Sequence, residues 1–256
     1  MINKLLKIFK FEKINYYSKE YESNLYKQYG NCNKISKSIK ILAIADTHGS
    51  LKEDEFKLFL KDNQTFDLVV LLGDHTNLDI EIILNNIDKN KIVGILGNHD
   101  YNEMDKVIDV FNNSGFKYLE NSYEIIYNER NEKIFIGGIG NVSYGLDDID
   151  KTMEYFNSND DIDYKVMLLH EPDISKKIVE DYNVSLILAG HSHNGQVRLP
   201  LIGALYTPPG AKEYYDEHYV VDGANLYISS GIGVSTVNYR FWNRPSINFY
   251  RINKDK

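Results

Sequence analysis

Five apolar runs constrain this chain more than any other feature. "SIKILAIAD", "FDLVVLLGD", "KIVGILGNHD", "YKVMLLHEP" and "VSLILAGHSH" are rich in Ile, Val and Leu without regular alternation, and each stops abruptly at Asp, Asn or His. A strand with one face in water alternates polar and apolar residues. An unbroken Ile/Val/Leu run fits a strand covered on both faces, as in a parallel sheet sandwiched by helices or by a second sheet. Helical patterning falls between or beside the runs, over Leu51–Lys61, Leu78–Ile87, Met104–Asn112, Leu146–Phe156 and Ile174–Tyr182. The alternation predicts an α/β fold.

The middle of the chain changes character. "YEIIYN" and "EKIFIGGIG" flank the polar "ERN", which predicts a hairpin. The tail adds strands at "GQVRLP", "HYVV", "NLYISSG" and "SINFYRI". Together these exceed what one sheet comfortably holds, so two packed sheets with outer helices are expected. No repeat or linker divides the chain. One domain over residues 38–256 is expected, with residues 1–37 as an N-terminal strand or extension.

Composition narrows the function classes. Hydrophobic residues make up 43% of the 256 and charged residues 26%, as in soluble globular proteins. A net charge of -8 argues against nucleic acid as the main partner, because phosphate backbones recruit surplus Lys and Arg. It leaves open a small anion held through bound cations. The single cysteine, Cys32, excludes an internal disulfide and a thiolate-rich metal site. No apolar run approaches the ~20 residues that cross a bilayer. The first residues, "MINKLLKIFKFEKINYY", are interrupted by Lys and lack the apolar core of a secretory signal. A cytoplasmic location is expected, with peripheral membrane contact through that stretch as the alternative.

The ends of the apolar runs carry the chemistry: Asp46 and His48; Asp74 and His75; Asn98, His99 and Asp100; His170; His191 and His193. Ligands of open α/β sheets bind beyond the carboxyl ends of the strands, so five strands would deliver these side chains to one rim. Residues i and i+2 of an extended chain point the same way, which would let Asp46 and His48 grip one ion. His191 and His193 would share an ion or serve two. Gly73, Gly97 and Gly190, just before the polar residues, suit sharp turns or close backbone approach. Oxygen and imidazole donors suit Mn, Fe, Zn or Co. Taken singly each residue has an ordinary explanation, Asp46 and Asp74 as helix N-caps for example.

As an ordered set, D-x-H, G-D, G-N-H-D, a lone H and G-H-x-H resemble the calcineurin-like metallophosphoesterases over roughly Ile41–Ile252. The stretch "GHSHNGQVRLPLIGALYTPPGAKEYY" and the later "NLYISSGIGVSTVNYRFWNRPSI" are similar to a narrower bacterial branch, the YkuE/YaeI-type phosphodiesterases. The resemblance implies a four-layer α/β/β/α sandwich of two mixed sheets flanked by helices. It implies two divalent metal ions, with Mn the first choice: Asp46, His48 and His193 on one, Asn98, His170 and His191 on the other, and Asp74 bridging. It also implies a metal-activated hydroxide as nucleophile, His99 as phosphate-binding group or general acid, and Asp100 orienting His99. The substrate would be a phosphodiester, pyrophosphate or phosphomonoester of a small molecule.

Some features separate the chain from other branches. "GDHTNLD" supplies no Arg after G-D, and Leu96 stands where Ser/Thr protein phosphatases carry Arg before G-N-H. Protein phosphatase activity is therefore not expected, nor is the basic groove of a nuclease. The alternative function is a catalytically silent interaction scaffold, which the filled ligand positions disfavour. A redox di-iron site would need Glu-x-x-His spacing on helices, and the candidates sit at strand ends. His75 receives no ligand role, a functional one being the lesser alternative; His218 is expected on the surface at a strand start; Arg240 and Trp242 are expected to pack and brace the second sheet, with a substrate-facing Arg240 as the alternative. Specificity is expected in loops such as Tyr206–Tyr219.

Overall fold

In a computed structural model, the described residues are 39–62, 66–103, 109–110, 113–158 and 161–252. The expected N-terminal extension, and most of the helix expected over Met104–Asn112, lie outside them. Each of the five apolar runs forms a strand. β1 (Ile39–Ile44), β2 (Leu68–Leu72), β3 (Ile92–Ile95) and the short β4 (Lys117–Tyr118) run parallel. β13 (Asn248–Ile252) pairs antiparallel with β1, giving the order β13-β1-β2-β3-β4.

The second sheet contains β5 (Ser122–Tyr127), β6 (Lys133–Gly138), β7 (Tyr164–Leu169), β8 (Leu186–Ala189), β11 (His218–Val221) and β12 (Ala224–Ile228). Its order is β11-β12-β8-β7-β6-β5, parallel inside and antiparallel at both edges. The expected hairpin is the β5–β6 pair. The segment "GQVRLP" belongs to neither sheet: it forms a separate small hairpin, β9 (Arg198–Leu199) with β10 (Gly203–Ala204).

The pleat explains why the runs show no alternation. In β1, Ile39, Ile41 and Ala43 enter the layer between the sheets, against a cluster that includes Val166, Leu168, Leu186 and Leu188. Leu42 and Ile44 face the other way, into a cluster with Phe56 and Phe59 of α1 (Glu53–Asp62) and Ile80 and Ile83 of α2 (Asn77–Asn86). On the far side, Met167, Leu169, Ile187 and Ala189 pack with Met153 of α3 (Ile149–Ser158) and Ile178 of α4 (Ser175–Asp181). Both faces of the central strands are dry, and the result is the expected α/β/β/α sandwich. α3 starts later than its apolar pattern suggests: Asp148 accepts the Lys151 amide at 2.9 Å as an N-cap, and Leu146 stays outside, exposed. Among the described residues no helix is long and apolar enough to cross a membrane.

One buried carboxylate ties two rim loops together. Asp79 accepts hydrogen bonds from the Thr47 hydroxyl at 2.8 Å and from the Gly49 and Leu51 amides at 2.7 and 3.1 Å, all on the loop after β1. It also accepts from the Thr76 amide and hydroxyl at 3.1 and 2.7 Å, within the capping box of α2. Asp79→Ala strands these buried donors, so a loss of about 3 kcal/mol is expected in urea unfolding. An unchanged midpoint would show that water replaces the carboxylate without cost.

Candidate metal centre

β1, β2, β3, β7 and β8 end at one rim, where the chain turns rather than runs on. Asp46 and His48 were expected to converge through an extended backbone. Instead β1 stops at Ile44, and Asp46 and His48 adopt φ of 48° and 43°. Asp74, His191 and His193 are also left-handed, at 59°, 68° and 48°. Such backbone costs ~1–3 kcal/mol per residue and persists only where the surroundings over-determine it. Here amides from neighbouring loops do so: His191 N–H reaches both Asp46 oxygens at 3.0 and 3.1 Å, and His99 N–H reaches Asp74 Oδ1 at 2.8 Å. Neither Asp46 nor Asp74 caps a helix, since Thr76 caps α2. Gly97 permits the close approach: an added Cβ would lie 2.6 Å from His170 Cε1.

The inward-facing atoms form a compact set. His48 Nε2 lies 3.5 Å from Asp74 Oδ2 and 3.2 Å from His193 Nε2, which is 3.5 Å from Asp46 Oδ1. His170 Nε2 lies 3.4 Å from Asp74 Oδ2 and 3.0 Å from Asn98 Oδ1. Two three-residue groups, each within mutual reach of a single ion, emerge: Asp46, His48 and His193; and Asp46, Asp74 and His170. Carbonyl partners orient two of the rings. His170 Nδ1–H donates to the Leu72 carbonyl at 2.7 Å, which turns Nε2 inward toward Asp74 and Asn98. His191 Nε2–H donates to the Pro209 carbonyl at 2.7 Å, which leaves the Nδ1 lone pair of the neutral ring unused by that bond. The His191 ring sits 4.9 Å from that of His170.

The donor set fits divalent cations. Asp46 and Asp74 are 0% and 3% exposed and too close to carry full charge without compensation. Burial pushes the Asp46 carboxyl up to about 7, Asp74 adding to the rise while His170 opposes it. Burial alone would raise Asp74 too, but the His170 charge and hydrogen bond, with His48 and His99, hold it well below the usual carboxylate range. Burial would depress His170, yet the charge and hydrogen bond of Asp74, with Asp46, lift it to about 10. Burial foremost lowers His48, His191 and His193, which keeps those imidazoles neutral and able to bind metal. Bound divalent cations would balance these buried carboxylates, and among the described residues the donors are carboxylate, amide and imidazole groups.

The rim therefore gathers Asp46, His48, Asp74, Asn98, His170 and His193 into direct contact, with His191 beside them. His99 lines the same cavity, its ring edge-on to that of His48 at 4.9 Å. Asp100 departs from expectation. Its oxygens accept the amides of Gly97, Asp74 and His75 at 2.7, 2.8 and 2.8 Å, so it braces the backbone under the rim rather than orienting the His99 imidazole. His75 is buried below the rim, with Nδ1 2.9 Å from the Thr47 hydroxyl. His218 is exposed at the start of β11, as expected. Arg240 braces the centre itself: it donates to the Gly233 and Ser230 carbonyls, and Nη2 lies 3.0 Å from His193 Nδ1. Trp242 does not pack against the second sheet; it is 70% exposed, at φ 52°.

Sequence reasoning did not find the Thr47–Asp79 tie, the Pro209 carbonyl on His191, or Gln196. The Gln196 amide holds the 235–239 loop over the cavity: Nε2 donates to the Ser235, Val237 and Tyr239 carbonyls at 2.9, 2.8 and 3.1 Å, and Oε1 accepts Ser235 N–H at 2.7 Å. Of the loop expected to set specificity, Tyr206, Pro208 and Pro209 line the cavity.

Comparison with known proteins agrees with this geometry. The family model for calcineurin-like phosphoesterases matches residues 39–195, from β1 through the last histidine of the centre. YkuE of Bacillus subtilis, an uncharacterized metallophosphoesterase, is 29% identical over 229 residues, covering 83% of this chain and 78% of that protein. Phosphodiesterase YaeI of Escherichia coli is 34% identical over 83 residues, covering 32% of this chain and 30% of that one. A 5'-nucleotidase precursor from Thermus thermophilus shares the fold, with a TM-score of 0.53 at 14% identity over 77% of this chain; the chain spans about half of that structure, 49%. The strand order, the rim of Asp, Asn and His side chains and the family match converge: the chain belongs to the calcineurin-like phosphoesterases, a family of metal-dependent phosphoric ester hydrolases.

Proposed function

We propose that the protein hydrolyses a phosphodiester, pyrophosphate or phosphomonoester bond of a small molecule at a two-metal centre. Asp46, His48 and His193 would hold one cation and Asn98, His170 and His191 the other, with Asp74 placed to serve both. The observation that carries this reading is the position of Asp74 Oδ2, 3.5 Å from His48 Nε2 and 3.4 Å from His170 Nε2, one imidazole from each set. Two cations, when bound, supply Lewis-acid charge to the phosphoryl oxygens and lower the pKa of water. The chain's own groups do the rest. Asn98 offers a neutral amide oxygen, which adds no negative charge near an anionic ester. His99, outside the ligand set, binds a phosphate oxygen or protonates the departing oxygen. Asp100 and Asp79 keep the rim loops in register.

The test is reconstitution. Protein stripped with chelator is expected to be inert toward bis-4-nitrophenyl phosphate and to regain turnover with about two equivalents of Mn. Metal uptake is also expected to release protons, because the Asp46 carboxyl at about 7 and the His170 imidazole at about 10 must deprotonate to coordinate. Affinity should therefore fall as the pH drops below about 10, and more steeply below about 7. Neither metal uptake nor hydrolysis would make the chain an interaction scaffold instead.

A further inference from the structure

The metal centre forms one end of a cavity of about 510 Å³, within the range of small-molecule sites. Away from the centre its wall is built by Val197, Leu205, Tyr206, Pro208, Val237 and Tyr239, and none of the described residues that line it is Lys or Arg. Three polar side chains of the lining are spent on the protein itself. Gln196 uses both ends of its amide on the 235–239 backbone. Ser192 donates its hydroxyl to the Tyr215 carbonyl at 3.0 Å, and Ser143 gives its own to the Glu171 carboxylate. The apolar character continues outward: the hairpin with Val197 and Leu205 at its base ends in Leu201 and Ile202, whose side chains stand in solvent.

Resting on the phosphoesterase reading, we infer that the organic half of the substrate is an aliphatic chain attached to the phosphoryl group, lying along this wall. A nucleobase or sugar presents hydrogen-bonding edges that need free partners, and buried polar groups left unpaired are costly. Among the described residues that line the cavity none is a Lys or Arg able to meet a further phosphate; Lys212, over the Tyr206 ring, gives its ammonium to the Thr207 carbonyl. A chain of methylenes needs neither, and apolar surface leaving water drives it onto the wall.

The experiment is calorimetric titration of the metal-loaded full chain with methyl-, butyl- and octylphosphonate, below their micellar concentrations, and with adenosine 5'-monophosphate. Affinity is expected to rise about fourfold per methylene, the equivalent of ~0.8 kcal/mol, so that octyl exceeds butyl by roughly 250-fold. Val237→Asp, or Leu205→Asp if the first variant folds poorly, is expected to erase most of that gain. A flat series, a gain unaffected by either variant, or tighter binding of the nucleotide than of octylphosphonate would overturn the inference. Hydrolysis of methyl 4-nitrophenyl phosphate by the same preparation reports on the reaction alone. Hydrolysis with a flat series leaves the phosphoesterase and removes the chain site; a steep series without hydrolysis does the reverse.

Discussion

Asp74→Asn is expected to lower turnover of bis-4-nitrophenyl phosphate by roughly a thousandfold or more, the equivalent of about 4 kcal/mol of lost charge stabilisation. The side chain keeps its shape, and its Oδ1 can still accept the His99 amide that stands at 2.8 Å. What changes is the Oδ2 position, which becomes an NH2 group facing the nitrogens of His48 and His170 across 3.5 and 3.4 Å. An amide donor there cannot share a cation with either neighbour. Metal stoichiometry is expected to fall to one or none by elemental analysis. A second readout needs no metal. His170 is lifted to about 10 chiefly against its own burial by the Asp74 charge, so removing that charge must lower it. Titration of the metal-free variant by NMR should find His170 deprotonating at lower pH than in the parent. A variant that kept two metals and full turnover would remove Asp74 from the centre of the mechanism.

Much of this was legible before any coordinates. The apolar runs are continuous because β1, β2, β7 and β8 are covered on both faces, and that property belongs to the residues themselves. The order of Asp, Asn and His at the strand ends was equally plain, because a parallel sheet necessarily presents its carboxyl ends on one side. The local geometry was not. An extended D-x-H segment and a left-handed turn place Asp46 and His48 at the same rim, and only long-range partners choose between them. Those partners, the His191 amide on Asp46 and the Asp79 carboxylate on Thr47, come from 145 and 32 residues away. Asp100 illustrates the same limit. Adjacency to His99 suggested an acid–base partner, but three amides from the β2 and β3 loops claim its oxygens. The 235–239 wall was invisible for a related reason: it approaches the centre only because Gln196 binds its carbonyls.

The strained backbone and the metal set are linked. Five left-handed residues at ~1–3 kcal/mol each amount to a large fraction of a typical domain's stability. The hydrogen bonds that hold them run between rim loops rather than within one, so the loops stabilise each other as a group. Bound cations add to that stabilisation by mass action, because they bind the folded rim and not the unfolded chain.

His99→Ala is expected to separate catalysis from metal binding. The backbone N–H of residue 99, which holds Asp74, survives the substitution. The imidazole meets the His48 ring edge-on at 4.9 Å. Two metals should therefore remain, while hydrolysis of alkyl esters falls by about 10²–10⁴, the usual worth of a positioned general acid. The loss should shrink as the leaving group improves, since 4-nitrophenolate departs without needing a proton. A plot of log kcat against leaving-group pKa is then steeper for the variant than for the parent. Equal losses across the series would assign His99 to phosphate binding alone, with the proton coming from water. Loss of metal together with activity would place the imidazole in the ligand set, and the division of labour at this rim would have to be redrawn.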